Sequence, residues 1–293
     1  MTFKFNIGID LGGTKIETIV LKDKLPIFRQ RIPTEAEKGP DHILNQISHI
    51  YNQALDVVEI NDFNVGICTP GSISPETKLL RNSNTTCLNG SALLSMIEEK
   101  INHRIKIEND ANCFALAEAS LGSGKGYEMV FGIIMGTGCG GGFVYNNQIR
   151  QGPNLISGEW GHSILYPDGY ECYCGKRGCV ETYISGSGIE KILNNNSIHY
   201  SAEEFFNKPN KNRLEEKIFN DFMHNFGRSI ANIINSIDPD IIVLGGGLSN
   251  ITSLYSQGIE EIQKYIFSES LKTPIVMNKL GDSAGVFGAA LLK

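Results

Sequence analysis

The chain has 293 residues, 41% hydrophobic and 20% charged, a globular composition with enough length for two domains of ordinary size. Its 32 acidic residues outnumber 26 basic ones, giving a formal net charge of -6, so it carries no basic footprint for nucleic acid. It has no apolar run of about 18 residues and enters a strand at once without a signal segment, so no membrane span is expected and the expected compartment is the cytoplasm.

Phe3 to Asp10 reads as a strand, Leu11 to Thr14 as a turn, and Ile16 to Leu21 as a returning strand rich in Ile, Thr and Val. Ile43, Ile47, Ile50, Ala54 and Val58 recur at roughly the helical period and predict a helix over Asp41 to Val57. Val65 to Thr69 is a short strand closed by Pro70-Gly71. A helix over Ser91 to Lys100, a strand over Ile105 to Glu108 and a helix over Asp110 to Ser120 follow. Leu121 to Gly126 is dense in glycine and reads as a hinge. The opening pattern then returns about 125 residues on: strand Met129 to Met135, turn Gly136 to Gly141, strand Gly142 to Tyr145. Such a return is what an internal duplication looks like. Ser201-Ala-Glu-Glu204 has capping-box spacing. Phe219 to Ile237 is a long amphipathic helix stopped by Asp238-Pro239-Asp240. Ile241 to Leu244 is a buried strand that ends in Gly245-Gly246-Gly247. Ala284 to Leu292 is a helix of small residues, too apolar to stand unpacked.

The densest chemical signal is His162 followed ten residues later by Cys172-Tyr-Cys174-Gly-Lys-Arg-Gly-Cys179. Three thiolates and one imidazole complete a tetrahedral structural zinc site. Seven cysteines in such a chain argue for metal binding or burial rather than disulfides. The other four, Cys68, Cys87, Cys113 and Cys139, are expected as small buried hydrophobes. The knot would brace Glu159 and Glu181 on either side of it.

In Asp10-Leu-Gly12-Gly13-Thr14-Lys15, glycines let backbone N–H groups approach phosphate oxygens, while Thr14 adds a hydroxyl and Lys15 a charge. Asp10 is placed to hold Mg²⁺, directly or through water. A strand follows, so this is not a Walker A loop, and a plain hairpin turn reads equally well. The second turn, Gly136-Thr137-Gly138, favours two loops gripping a triphosphate. Gly245-Gly246-Gly247 lies at a strand's carboxyl end, where α/β folds bind nucleotides. In Glu108-Asn109-Asp110-Ala-Asn112, Asp110 sits at a strand-to-helix junction. It reads as an N-cap and, kept ionised by the helix dipole, as a base for an attacking hydroxyl. Glu159 and His162, three apart, share a face of a helical turn.

Together these motifs resemble the ROK family of sugar kinases over nearly the whole chain, from Gly8 to the C-terminal helix. The resemblance implies an α/β, two-domain actin-like ATPase (ribonuclease H-like) fold with a small structural zinc knot. It places one domain at 1–121 plus 280–293 and the other, with the adenosine site, at 122–279. It implies ATP, Mg²⁺ and structural Zn²⁺ as cofactors, a hexose as the acceptor and a homodimer as the assembly. Asp110 would take the proton from the sugar hydroxyl. Asn84, Asn109, Asp110, Glu159, His162 and Glu181 would bind the sugar. Gly12, Gly13, Thr14, Lys15, Gly136, Thr137, Gly138, Gly245, Gly246 and Gly247 would bind ATP. Zinc would be held by His162, Cys172, Cys174 and Cys179, and magnesium by Asp10. The segments Pro70 to Pro75, Asn82 to Gly90 and Gly281 to Val286 resemble the bacterial fructokinase (mannokinase-like) branch. Transfer to the 6-hydroxyl of fructose is therefore the expectation, with N-acetylglucosamine kinase and glucokinase or mannokinase as alternatives. Cys87 stands where that branch usually carries Trp. A ROK-type sugar-responsive repressor is the reading from another class; it calls for a helix-turn-helix before the first phosphate motif, where only nine residues precede Asp10.

Overall fold

The computed structural model describes residues 3–59 and 62–293. They fall into two compact units, Met1–Ala117 with Asp282–Lys293, and Glu118–Gly281.

The first unit opens with an antiparallel meander, β1 (Phe5–Leu11), β2 (Lys15–Lys22) and β3 (Leu25–Pro33). α1 (Pro40–Leu55), β4 (Phe63–Thr69), the short pair β5 (Ser72–Ile73) and β6 (Leu80–Arg81), α2 (Leu93–Ile101) and β7 (Lys106–Asn109) follow. The sheet order is β3-β2-β1-β4-β7, with β4 parallel to both β1 and β7. Alternation in β1 sends Phe5, Ile7, Ile9 and Leu11 into a core shared with Ile43, Ile47 and Ile50 of α1 and Leu93 and Ile97 of α2. Those α1 positions are the ones whose spacing predicted the helix. The C-terminal helix, Ala284–Ala290, packs on β1 and β4. It approaches so closely that a β-carbon at Gly8 would collide with the Val286 carbonyl, and one at Gly66 with the Ala289 carbonyl.

α3 (Asp110–Ser120) carries the chain across the unit boundary. The second unit then contains β8 (Met129–Met135), β9 (Cys139–Tyr145), β10 (Gln148–Ile149), α4 (Glu181–Ile184), α5 (Gly186–Asn195), α6 (Ala202–Asn207), α7 (Arg213–Ile237), β11 (Ile241–Gly245), α8 (Gln257–Gln263) and β12 (Ile275–Met277). Its sheet runs β10-β9-β8-β11-β12, again an antiparallel meander followed by two parallel strands. The two sheets share one topology, which is the duplication the repeated turn announced. Phe205, Phe222, Phe226 and Ile230 fill the core of this unit.

Three expectations are corrected. The glycine-rich stretch 121–126 is not an open hinge. Gly122 N and Gly124 N donate to the Glu118 carbonyl, and Ser123 N donates to the Glu118 carboxylate at 2.8 Å. That carboxylate is fully buried and also accepts from Lys279 N and Leu280 N. α7 begins at Arg213, six residues before Phe219, because Asn212 and Glu215 form a second capping box. Cys87 is exposed, while Cys68, Cys113 and Cys139 are buried. In the short 3-10 turn Thr86–Leu88 only Leu88 points inward.

Candidate active site

In the first unit the turn between β1 and β2 is closed by Gly12 N donating to the Lys15 carbonyl at 3.0 Å. Thr34, fully buried just after β3, donates its hydroxyl to the Gly12 carbonyl at 2.7 Å, and its N–H donates to the Thr14 carbonyl at 3.0 Å. The loop is thus held open-faced from behind. Asn84 is brought alongside it: its Oδ1 lies 3.5 Å from where a β-carbon on Gly13 would sit.

Asp10, at the end of β1, accepts a hydrogen bond from the Cys68 thiol at 3.1 Å. Burial raises its carboxyl above the usual carboxylate range; the Cys68 hydrogen bond opposes this, Glu17 adds to it, and Lys15 and Arg31 oppose it. A half-buried carboxylate at the end of β1, just before the Gly12–Lys15 turn, is a donor that suits a hard divalent cation keeping several waters.

At the β7–α3 junction the helix start is capped by Asn109 rather than by Asp110. Asn109 Oδ1 accepts from Ala111 N at 2.8 Å and Asn112 N at 3.3 Å, and its Nδ2 donates to the Gly71 carbonyl at 3.1 Å. Asp110 is the first residue of the helix and accepts from Ala111 N at 2.8 Å. A carboxylate fixed there is oriented by the backbone N–H groups of the first helical turn. Asn109, expected on the sugar, also builds that helix start through its Oδ1.

In the second unit, Gly136 N donates to the Gly138 carbonyl at 3.0 Å across the β8–β9 turn, while Gly186 N and Ser187 N donate to the Gly136 and Thr137 carbonyls. Glu181, the first residue of α4, accepts from Cys139 N at 2.8 Å. It therefore touches the second glycine turn. Gly246 has φ +79, and a β-carbon there would strike the Met135 backbone. The Gly245–Gly247 turn is thereby set beside the same β8–β9 turn, so the two expected ATP loops of this unit are neighbours.

Glu159 is exposed and precedes a 3-10 turn, Trp160–His162, in which positions three apart eclipse. Trp160 anchors the turn by donating to the Gly140 carbonyl at 3.1 Å. His162 Nδ1 lies 3.6 Å from Cys172 Sγ, and Cys174 Sγ lies 3.6 Å from Cys179 Sγ. All four side chains present ligand atoms within 4.8 Å of one another. A tetrahedron with Zn–S of about 2.3 Å has edges of roughly 3.8 Å; the two 3.6 Å pairs match that, and the wider separations would have to close on an ion. His162 Nε2 pairs with the Tyr173 hydroxyl at 3.1 Å.

The sequence reasoning missed Glu17, Arg29 and Arg31. Glu17, on β2, is only 1% exposed and is ion-paired with Arg29 and, at 2.7 Å, with Arg31 on β3. The pairing of β2 with β3 sets Glu17 opposite Arg31. The acidic position inside an otherwise apolar strand was the signal available.

Two sheets of one topology, each carrying a glycine turn after its first strand, a carboxylate at a helix start and a Cys/His knot together define a class, and the ROK family profile matches residues 6–293. The chain belongs to the ROK family. It is similar to the N-acetyl-D-glucosamine kinase of Histophilus somni (strain 129Pt), at 35% identity over 300 residues and 97% of each chain. It is also similar to the N-acetyl-D-glucosamine kinase of Haemophilus influenzae (strain 86-028NP), at 35% identity over 302 residues, 97% of this chain and 98% of the relative. Among solved structures it resembles the ROK hexokinase from Thermus thermophilus, with 28% identity, a TM-score of 0.87 and coverage of 98% of this chain and 97% of that one.

Proposed function

We propose that the protein is an ATP-dependent sugar kinase that transfers the γ-phosphoryl group of MgATP to the 6-hydroxyl of N-acetylglucosamine. The observation that carries this reading is Asp110, fixed by Ala111 N at the start of α3, in a chain whose relatives at 35% identity and full length are N-acetyl-D-glucosamine kinases. Asp110 takes the proton of the attacking hydroxyl, which raises that oxygen's nucleophilicity as it meets the phosphorus. Asn84, Glu159, His162 and Glu181 offer hydrogen bonds to the remaining hydroxyls. The two glycine turns and Gly245–Gly247 take the nucleotide. Magnesium, with Asp10 as its protein partner, supplies charge neutralisation at the phosphates.

Zinc on His162, Cys172, Cys174 and Cys179 serves as a brace. It fixes the imidazole and the 3-10 turn that carries Glu159, and Cys179 holds the chain two residues before Glu181.

This reading replaces fructose as the acceptor. The fructose expectation rested on short matches, within residues 70–90, at 159–162 and 172–176, and at 281–286. Acceptor choice depends on a few contacts to the groups that distinguish sugars, and such matches do not report them. ADP release with MgATP across N-acetylglucosamine, N-acetylmannosamine, glucose, mannose and fructose, compared by kcat/KM, tests it. N-acetylglucosamine should lead by at least about tenfold, the discrimination that roughly 1.4 kcal/mol supplies. A leading value for fructose would overturn the choice of sugar and leave the kinase reading in place. No turnover with any of these sugars would overturn the kinase reading.

A further inference from the structure

Beside the first glycine turn, Lys15 is grouped with two residues that the reaction scheme leaves unused, Arg31 and Asp282. Lys15 Nζ and Arg31 Nη2 both bind one oxygen of Asp282, Oδ2, at 2.9 and 3.2 Å. An anionic oxygen held by two cations marks where a phosphoryl oxygen would be held, since Lys and Arg bind carboxylate and phosphate oxygens with the same donors. The three residues differ in how firmly they are placed. Arg31 is anchored independently: its Nε and Nη2 donate to the Glu17 carboxylate at 3.1 and 2.7 Å, and Glu17 is only 1% exposed. Asp282 is 69% exposed and Lys15 37%. Ion pairs this open to water contribute little and are readily exchanged. Removing the Asp282 carboxylate would leave Arg31 fixed and Lys15 free to follow a new anion.

We propose that Lys15 and Arg31 form a binding position for phosphoryl oxygens that the Asp282 carboxylate occupies as an internal competitor until a phosphorylated ligand displaces it. The inference rests on the kinase reading for the origin of its ligand, either the phosphates of the nucleotide or the phosphate of the sugar product. It adds Arg31 to the groups that meet phosphate, and it gives the exposed Asp282 a role in setting affinity. Glu17 is a positioning residue here, acting through Arg31.

Calorimetric titration of MgADP and, separately, of N-acetylglucosamine 6-phosphate into wild type and Asp282→Asn tests it. Asparagine keeps the side-chain volume and removes the competing charge. Asp282→Asn should tighten at least one of the two ligands by about three- to tenfold at low salt, with the gain shrinking as ionic strength rises. Tightening of MgADP assigns the position to the nucleotide. Tightening of the sugar phosphate alone assigns it to the transferred group. The gain should vanish in a Lys15→Ala background, because the cation that Asp282 was holding is then absent. Unchanged or weaker binding of both ligands by a normally melting Asp282→Asn overturns the proposal. So does weaker binding with a lowered melting temperature, which would make Asp282 a clasp for the C-terminal segment. The two readings fail separately. If wild type phosphorylates no sugar but Asp282→Asn still tightens MgADP, only the kinase reading falls. If wild type turns over and neither ligand tightens, only the anion position falls.

Discussion

The two strand–turn–strand copies solve one problem by different means. The β1–β2 turn is surrounded by charge: Lys15 pairs with Asp282, Arg31 with Glu17 and Asp282, and Asp10 lies at the end of the strand beneath. The β8–β9 turn is surrounded by backbone: Gly186 N and Ser187 N donate to its carbonyls, and one carboxylate, Glu181, accepts from Cys139 N. Its support comes from α4 and the Cys/His knot two residues earlier. A duplicated fold has thus kept the geometry of the loop and divided the work. On the proposed reading, one copy supplies the titratable groups for phosphate and proton, and the other a rigid frame for a ligand.

If that division is right, the largest kinetic effect of a single conservative change belongs to the first unit. Asp110→Asn preserves the volume of the side chain at the start of α3 but gives up the base. Its kcat should fall by about a hundredfold to ten-thousandfold, the range a general base supplies, with the melting temperature nearly unchanged. Steady-state kinetics beside a thermal melt checks this. Near-normal turnover in a folded Asp110→Asn would remove the base from the first unit and with it the contrast between the two.

A smaller effect, of a different kind, belongs to the second unit. Cys174→Ser removes one of four ligand atoms that lie within 4.8 Å of one another. The frame around His162, Glu159 and Glu181 should loosen, raising the KM for the sugar more than it lowers kcat. The melting temperature should fall by about 5 °C, which corresponds to roughly 2 kcal/mol in a chain of this size. Removing metal from wild type with a chelator should reproduce both changes. Full stability and an unaltered sugar KM after verified metal removal would mean that the knot holds itself together without an ion.

Much of this contrast was legible in the sequence, because its elements are local. The glycine turns, the strand-to-helix junction at Asp110 and the spacing from His162 to Cys179 involve residues close in the chain, so spacing alone brings them together. What escaped was non-local or masked. β3 carries Pro26 and Pro33 and alternates exposed and half-buried residues, a pattern that edge strands tolerate and that resembles a loop. Without β3 there is no register, and without register Glu17 has no partner in view. The second task of Asn109 also escaped: only the fold shows its amide meeting Ala111 N, Asn112 N and the Gly71 carbonyl. The Asn212–Glu215 box also escaped, although its spacing is that of the box recognised at Ser201.

The smallest effect should come from Glu17→Gln, which probes whether charge really holds the first turn. The carboxylate is buried against β3 and binds Arg29, Arg31 and the Ser283 hydroxyl. A glutamine keeps the shape but loses the charge, so two guanidinium groups lose their common anion. Burying such a pair is costly in itself, and breaking it by one partner usually costs more than the pair contributes. Here Arg29 and Arg31 are 48% and 38% exposed, so water takes over part of their solvation. The net loss should therefore be about 2 kcal/mol or less, near the value of a hydrogen bond to a charged group. The change should also be confined to one unit. Hydrogen exchange should quicken in β1 to β3 and stay as it was in β8 and β9, because the second turn is held by backbone hydrogen bonds and the Glu181–Cys139 N contact among the described residues. Equal quickening in both sheets would show that the copies share their stability, and that the charge around the first turn serves the whole chain rather than that turn alone.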